Sequence, residues 1–335
     1  MPNPKKSRPF LRFFILLLAL IASLIAWAYT VRPGMEQVAV HRYVEPPATA
    51  ANADAPVLKA AWFGTTGVLL SDGEHAVMID PFFTRPPGFV NLLSNQEIAP
   101  DTALIRKWLD RAGVKQLDAV LVSHSHYDHA MDAGVVTKLT GAPLLGSTST
   151  AYIGRGSGLP IPQLRVIKVG QPMKYGSFTI TFIRSQHAGA TGGTPVGDIE
   201  RPLVPPARYL DYKLGGTYSI LVEHPLGTVL HHGSAGFVPG ALAGRRADVV
   251  FLGIALRRDM QSYLHEVVDA VGAKRVIPTH WDDFTLPLDQ PLQPFPIGIR
   301  LEAFFNDMAK LRPGIKVETL EPGRSVVLFR GPAHN

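Results

Sequence analysis

The stretch His124-Ser125-His126-Tyr127-Asp128-His129 places four potential metal ligands within six residues. It directly follows the apolar run 119–122, which predicts a buried strand. Three imidazoles and a carboxylate at one strand end would be costly to bury without a partner. A divalent cation is a partner that explains all four ligands. A merely solvated histidine-rich loop explains neither the tight spacing nor the apolar strand before it.

The ligand types in this stretch favour zinc, with one or two ions expected and with manganese or iron as alternatives. Neutral imidazole nitrogens and carboxylate oxygens suit zinc, and the chain has no cysteine to offer as a thiolate. Alternate side chains of an extended segment point the same way, so His124 and His126 are expected to bind one ion. Asp128 and His129 follow after the chain turns, and we expect them to face a neighbouring position.

Further potential ligands follow other short apolar segments of the chain. Asp80 follows 76–79, His187 follows 178–186, His231 and His232 follow 228–230, and His280 follows 275–279. Taken singly, each of these residues is more often structural than a ligand. Their shared position after predicted strands indicates that several of them belong to the same site.

This order of residues resembles the metallo-β-lactamase superfamily over residues 58–335. The matching features are Asp80, the His-x-His-x-Asp-His element, His187, a Gly-Ser turn at Gly233-Ser234, and His280. Segments 62–64, 127–129 and 277–281 resemble the branch that contains ascorbate-6-phosphate lactonase-like and N-acylphosphatidylethanolamine phospholipase D-like hydrolases. The resemblance implies an α/β fold, a four-layer αββα sandwich of two sheets covered by helices.

The resemblance also implies which side chains hold metal. The first ion would be bound by His124, His126 and His187, and the second by Asp128, His129 and His280. Asp80 would lie behind the ligands and orient their loop. Asp128 and His280 are the predicted catalytic residues.

Ser234 departs from the family pattern. The family usually has an aspartate at this position that bridges both ions, whereas a serine hydroxyl is neutral and a poor ligand. Either the second ion binds weakly, or the site stays more electropositive and favours an anionic substrate. Ser234 and His232 are therefore predicted to lie next to the ligands, and His232 or His231 is a candidate substitute ligand.

The predicted chemistry follows from the metal. Zinc lowers the pKa of its bound water to about 7, which supplies hydroxide without a strong base. Asp128 is expected to ligate and to align that hydroxide for attack on a phosphoester, a lactone or a related ester, including a lipid phosphodiester. Two alternatives from other classes are a metal-binding module without catalysis, which Ser234 keeps open, and an iron-dependent oxidoreductase.

The positive charge of the chain is concentrated at its amino terminus. The net charge is +6, and Lys5, Lys6, Arg8 and Arg12 carry four of these charges. Because the surplus lies in the leader and no aromatic and basic stacking surface is evident, a nucleic-acid partner is not expected. A small-molecule or lipid ester is the expected partner, and the sequence indicates no oligomeric state.

Basic residues before an apolar run are typical of a signal anchor or a signal peptide. The predicted segments are a basic leader at 1–12, a transmembrane anchor at 13–29, a tether at 30–57 and the catalytic domain at 58–335. The flanking cations are expected to keep the amino terminus in the cytoplasm. The catalytic domain would then lie on the periplasmic side of a bacterial inner membrane. Cleavage near Ala28, followed by secretion, is the alternative.

Periodicity predicts many short strands with helices between them. Strands are expected at 58–62, 67–70, 76–79, 218–223, 228–231, 249–254, 275–278 and 325–329. Helices are expected at 101–112, 132–139, 260–271 and 299–311. Two loops, 188–216 and 286–297, are candidates for substrate contact. The first carries Arg201, Arg208, Tyr209, Tyr212 and Lys213, of which Arg208 and Tyr212 are the predicted substrate-binding residues.

Overall fold

The structure is a computed structural model that describes residues 9–47, 54–86, 88, 94–189 and 195–332. Its strands, in chain order, are β1 (Val57–Trp62), β2 (Val68–Ser71), β3 (Ala76–Ile79), β4 (Glu97–Ile98), β5 (Ala119–Leu121), β6 (Leu144–Gly146), β7 (Leu164–Val166), β8 (Pro172–Tyr175), β9 (Phe178–Arg184), β10 (Ala207–Arg208), β11 (Tyr218–His224), β12 (Gly227–His232), β13 (Val249–Gly253), β14 (Arg275–Thr279), β15 (Lys316–Val317) and β16 (Ser325–Arg330). They form two seven-stranded sheets and one two-stranded ladder.

The helices in the described residues are α1 (Pro9–Val31), α2 (Met35–Val40), α3 (Thr102–Arg111), α4 (Tyr127–Ala130), α5 (Ala133–Thr140), α6 (Thr148–Gly156), α7 (Met260–Tyr263) and α8 (Leu301–Leu311). A π-helix, Leu264–Asp269, continues α7, and short 3-10 turns cover Ile161–Gln163 and Tyr209–Asp211.

The strand order of each sheet explains how the two halves of the chain meet. The first sheet runs β16-β1-β2-β3-β5-β6-β7, and the second runs β15-β14-β13-β12-β11-β9-β8. In the first sheet β3 and β5 are parallel, and in the second β12, β13 and β14 are parallel. Because the carboxyl ends of parallel strands lie at the same edge of a sheet, the residues that follow these strands are brought together there.

Alternation along β1 shows which face of the first sheet meets the second. Leu58, Ala60 and Trp62 belong to the core that includes the strands of the second sheet. Ala61 points the other way, into a separate core that contains Ile105 of α3. This is the side-chain period of two expected for a strand with both faces buried.

Helices cover the outer faces. The core on the outer side of the first sheet contains residues of α3, α5 and α6, and the other core contains residues of α7, the π-helix and α8 together with the second sheet. The α/β fold predicted from the sequence is confirmed.

Most predicted elements match observed ones to within two residues, but several short elements were missed. α3 begins where predicted because Asp101 caps it, its side chain accepting a hydrogen bond from Leu104 N. α5 ends at Gly141, which has a left-handed backbone. The predicted helix 260–271 is helical only to Asp269 and is largely a π-helix. The missed elements include the helices α2 and α6 and the strands β4, β6, β7, β8, β10 and β15.

The amino-terminal helix α1 is apolar and lies apart from the domain. Its window Pro9–Trp27 has a mean hydropathy of 2.4, and none of it is buried. By length and composition this helix is a candidate membrane anchor or signal sequence.

Part of the predicted tether packs against the domain. The ring of His41, which follows α2, stacks on Phe305 at 5.0 Å between centroids. Thr319 N donates to His41 O, and Tyr43 N donates to Thr319 O, so the segment adds a short backbone ladder next to β15. Residues 35–43 of the predicted tether, 30–57, therefore form a segment that packs on the domain. Residues 48–53 lie outside the described part of the chain.

Candidate metal centre

The structure brings the six predicted ligands together in two adjacent groups. His124, His126 and His187 form one group, and Asp128, His129 and His280 form the other. Within each group the possible ligand atoms all lie within 4.8 Å of one another. The groups adjoin, because the ring centroids of His124 and His129 are 3.7 Å apart.

Backbone geometry distributes the motif between the two groups. His126 is extended, with φ −62° and ψ 153°, and α4 begins at the next residue. His124 and His126 therefore lie on the extended segment, and Asp128 and His129 lie on the first turn of the helix. This is the division that the sequence predicted from the spacing.

His280 reaches its group from the second sheet. It follows β14 and has a left-handed backbone with φ 57°, and its backbone N donates to Thr65 O at 2.7 Å. Its Nε2 lies 3.2 Å from Asp128 Oδ2. The turn after β14 thus places the imidazole of His280 next to Asp128.

Asp80 lies behind the ligand loop, as predicted, and it is fully buried. Its carboxylate accepts hydrogen bonds from Ser123 N at 2.7 Å and from Thr66 Oγ1 at 3.0 Å, and it lies 2.9 Å from His129 Nδ1. Burial alone would raise the pKa of Asp80, but the His129 imidazole and the hydrogen bonds outweigh it and lower that pKa. The ionised carboxylate holds Nδ1 of His129, which leaves Nε2 to face Asp128.

The nitrogen atoms of the histidines suit a divalent cation. Among the described residues, His124 Nε2 is buried without a hydrogen-bond partner, as are His187 Nδ1 and His280 Nδ1. An unsatisfied buried polar atom costs about 1–3 kcal/mol, and a metal ion removes that cost. His126 Nε2 lies 2.9 Å from Pro195 O, which leaves Nδ1 for a ligand.

The protonation states fit the same conclusion. Burial lowers the pKa of His124 well below its usual value and that of His187 to about 3. Both imidazoles are therefore neutral at pH 7, which is the form that binds metal. Burial also opposes ionisation of Asp128, but His129 and His280 outweigh it and hold the pKa of that carboxyl far below its usual range.

Ser234 lies at the mouth of the two groups. It lines the same cleft as His126, Asp128, His187 and His280. Its Oγ accepts a hydrogen bond of 2.9 Å from Ala188 N, next to the ligand His187. The hydroxyl proton stays available, so Ser234 offers the cleft a neutral donor where a bridging aspartate would offer negative charge.

The prediction that His232 lies next to the ligands was wrong, and its neighbour His231 takes that place. His231 Nε2 lies 2.9 Å from Thr66 O and 3.8 Å from Asp80 Oδ2. His232 points to the opposite face of β12, where its ring nitrogens meet Ser219 Oγ at 2.7 Å and Gly236 O at 2.9 Å. Neither histidine belongs to the ligand groups found among the described residues. Because successive side chains of a strand point to opposite faces, only one histidine of the pair faces the site.

The two predicted substrate-binding residues also lie away from the cleft. Arg208 is exposed at the end of β10, and Tyr212 is 1% exposed within the core beneath the helices. Tyr209 lines the cleft instead, with its ring 4.7 Å from that of Tyr127. Burial raises the pKa of Tyr209 to about 12, so it remains protonated. The 3-10 turn of residues 209–211 turns Tyr209 inward, and the residue types in this loop do not indicate which tyrosine that is.

Apolar side chains complete the cleft. Leu256 and Phe284 line it. The Phe284 ring lies 5.7 Å from the ring of His280 and stacks on Phe295 at 4.8 Å between centroids. The predicted loop 286–297 thus contributes indirectly, by supporting Phe284. The site combines two groups of ligands, a neutral serine, a protonated tyrosine and an apolar wall.

Comparison with known proteins agrees with this fold. A family model for the beta-lactamase superfamily domain matches residues 75–281. A UPF0173 metal-dependent hydrolase of Pyrobaculum islandicum is 24% identical over 238 residues, which cover 70% of this chain and 88% of the relative. Another, from Myxococcus xanthus, is 26% identical over 276 residues, which cover 81% and 83%.

Two solved structures share the fold. Igni18, a metallo hydrolase from Ignicoccus hospitalis, superposes with a TM-score of 0.52 at 17% identity and covers 82% of this chain and 100% of its own. A possible metal-dependent hydrolase from Veillonella parvula gives 0.51 at 16% identity, with 82% and 100% covered. The fold and the two ligand groups define the class of protein, a metal-dependent hydrolase. The chain belongs to the beta-lactamase superfamily.

We predict that the metal-free chain loses stability as the pH falls below 6.5. Burial lowers the pKa of His232 to about 4, so folding keeps this imidazole neutral while the unfolded chain takes up a proton. The contribution is complete above pH 6.5 and declines by about 1.4 kcal/mol per pH unit below it. Urea unfolding of chelator-treated protein at pH 7.5 and 5.5 measures this slope. The His232→Asn variant should show a shallower slope, and an unchanged slope would contradict the assignment.

We predict that Ser234→Asp strengthens binding of a second metal ion. The new carboxylate would face both ligand groups and add one negative charge, and we expect at least about a tenfold gain in affinity, which corresponds to about 1.4 kcal/mol. Equilibrium dialysis with zinc, followed by elemental analysis, measures affinity and stoichiometry. Ser325→Asp, an exposed serine on the edge strand β16, is the matched control. Equal zinc binding by both variants would show that Ser234 does not face the ions.

Proposed function

We propose that this protein hydrolyses ester bonds with the help of one or two zinc ions. The observation that carries the proposal is the pair of adjacent ligand groups that share one open cleft. The curated relatives are named metal-dependent hydrolases, which supports the reaction class. Manganese and iron are alternative ions, because imidazole and carboxylate ligands accept both.

The residues that would hold the ions are those of the two ligand groups. A divalent cation in such a site supplies Lewis acidity and lowers the pKa of a water molecule toward neutrality. Asp128, which is ionised, is able to accept a hydrogen bond from the attacking water and fix its orientation. His280 lies within 3.2 Å of that carboxylate and so restrains it.

The remaining side chains of the cleft suit an anionic ester with an apolar part. Tyr209 and Ser234 each offer a hydroxyl donor to an oxygen of the substrate, and neither adds negative charge. Ser234 in place of an aspartate leaves the centre more electropositive, which favours a phosphodiester over a neutral ester. Leu256 and Phe284 would contact an apolar substituent.

A phosphodiester, a lactone or a related ester is thus the proposed substrate class, and a lipid phosphodiester satisfies both the charge and the apolar wall. The resemblance to the lactonase-like and phospholipase D-like branch supports the same range of substrates.

Asp128→Ala and His126→Ala are predicted to lower hydrolysis of bis(p-nitrophenyl) phosphate by at least about a hundredfold, the scale expected when one catalytic interaction is removed. Purified variants should keep the wild-type circular dichroism spectrum, and their metal content should be measured alongside turnover. His265→Ala, at an exposed histidine outside the site, is the control. Full activity in either site variant would refute the proposal. Bound iron with no turnover of any ester would favour an oxidoreductase, and a metal ion without any turnover would favour a binding module.

We further propose that α1 remains as an anchor and that the domain lies on the periplasmic side of the inner membrane. The basic residues before α1 support this orientation, because they are retained in the cytoplasm. In intact spheroplasts, added protease should degrade the domain while a cytoplasmic marker protein survives. Protection of the domain until the membrane is lysed would refute the orientation. Recovery of a shortened chain in the medium would refute the anchor.

A further inference from the structure

The docked segment after α1 restrains how the domain sits relative to a membrane. Only residues 32–34 separate the end of α1 at Val31 from α2 at Met35. At about 3.5 Å per residue, four chain steps span at most about 14 Å. A headgroup layer is about 5–8 Å thick, so a helix that spans the bilayer holds α2 close to the lipid headgroups.

The segment is attached to the domain by several independent contacts. Thr319 Oγ1 donates to Val38 O at 2.7 Å, and His41 stacks on Phe305 of α8. Gly34 has a left-handed backbone that lies directly against Leu301 and Glu302, so closely that a Cβ atom there would clash. Since these contacts fix residues 34–43 to the domain, the face of the domain beside α2 is the one held next to the end of α1.

That face contains a groove that opens beside the end of α1. It encloses about 760 Å³, within the range of ligand sites in proteins. Val38, Trp108, Leu288 and Leu292 supply apolar surface to its walls. The groove is separate from the catalytic cleft, but Trp281, which lines it, directly follows His280.

The side chains that line the groove carry three positive and two negative charges, a net charge of +1. Arg32, Arg42 and Arg111 line it together with two carboxylates, Asp289 and Glu321. Both carboxylates are already paired, Asp289 with Lys107 at 3.1 Å and Glu321 with Arg42 at 2.9 Å. The Arg111 guanidinium lies 5.0 Å from the Trp108 ring centroid and is exposed to solvent at the rim. Arginine binds phosphate oxygens well, and cations near a bilayer surface attract anionic lipids.

We propose that this groove binds a phospholipid of the membrane that α1 spans, with the phosphate at Arg111 and an acyl chain along the apolar wall. The inference rests on the proposal that α1 is an anchor and does not depend on the hydrolytic reaction. It gives the domain a fixed orientation, with the edge that carries β15 facing the bilayer and the opposite edge, at β8, turned away. Six strand spacings of about 4.8 Å put these edges roughly 29 Å apart.

Fluorescence quenching by spin-labelled lipid tests the orientation. The chain has no cysteine, so Gln290→Cys at the groove and Gln171→Cys beside β8 each accept a single bimane label. Both glutamines are exposed, which makes them matched positions. The full chain is reconstituted into phosphatidylcholine and phosphatidylglycerol vesicles that contain a phospholipid with a doxyl group high on its acyl chain. We expect severalfold stronger quenching at 290 than at 171, and equal quenching would overturn the orientation.

Two groove variants test the lipid site itself. Leu292→Glu places a charge on the apolar wall, and Arg111→Gln removes a phosphate ligand at an exposed position that leaves the fold intact. Each should reduce quenching of the label at 290, whereas Leu210→Glu, at an exposed leucine outside the groove, should not. Unchanged quenching in both groove variants would overturn the lipid site. Flotation of the protein with the vesicles separates this result from failure of the anchor, since a chain that does not float refutes both proposals.

Discussion

The candidate metal centre depends on the interactions made by the buried carboxylate of Asp80. It lies at the carboxyl end of β3 with a left-handed backbone and binds both the backbone and the hydroxyl of Ser123. Because Ser123 immediately precedes His124, these bonds fix where the ligand loop leaves β5. The same carboxylate holds His129 Nδ1 and, at a longer distance, faces His231. One ionised group thus links the first sheet, the ligand loop and the second sheet.

Burial shapes the chemistry of the site in two opposite ways. It keeps His124 and His187 neutral, which prepares them as ligands, while neighbouring imidazoles and hydrogen bonds lower the pKa values of Asp128 and Asp80 in spite of burial. Ser234 also affects the charge of the site. The family usually has an aspartate at this position, and the neutral serine leaves one negative charge fewer where the two ligand groups meet.

The segment after α1 packs on the domain. Residues 34–43 contact the edge of the domain, directly after the helix that is a candidate membrane anchor or signal sequence. The loop after His280 lies between two cavities, the cleft at the ligand groups, where Phe284 lies, and the groove beside α2, where Leu288 and Leu292 lie.

The amino-acid sequence indicated the fold class and six candidate ligands, mainly through the His-x-His-x-Asp-His element and its resemblance to the metallo-β-lactamase superfamily. Spacing also predicted that His124 and His126 separate from Asp128 and His129, since extended and helical backbones direct side chains differently. Other features follow from tertiary contacts alone. His231 faces Asp80 and His232 does not, and Tyr209 reaches the cleft whereas Tyr212 does not. Residues 35–43 also dock on the domain. These outcomes depend on strand register, on a single 3-10 turn and on contacts between residues almost 300 positions apart, none of which leaves a local pattern.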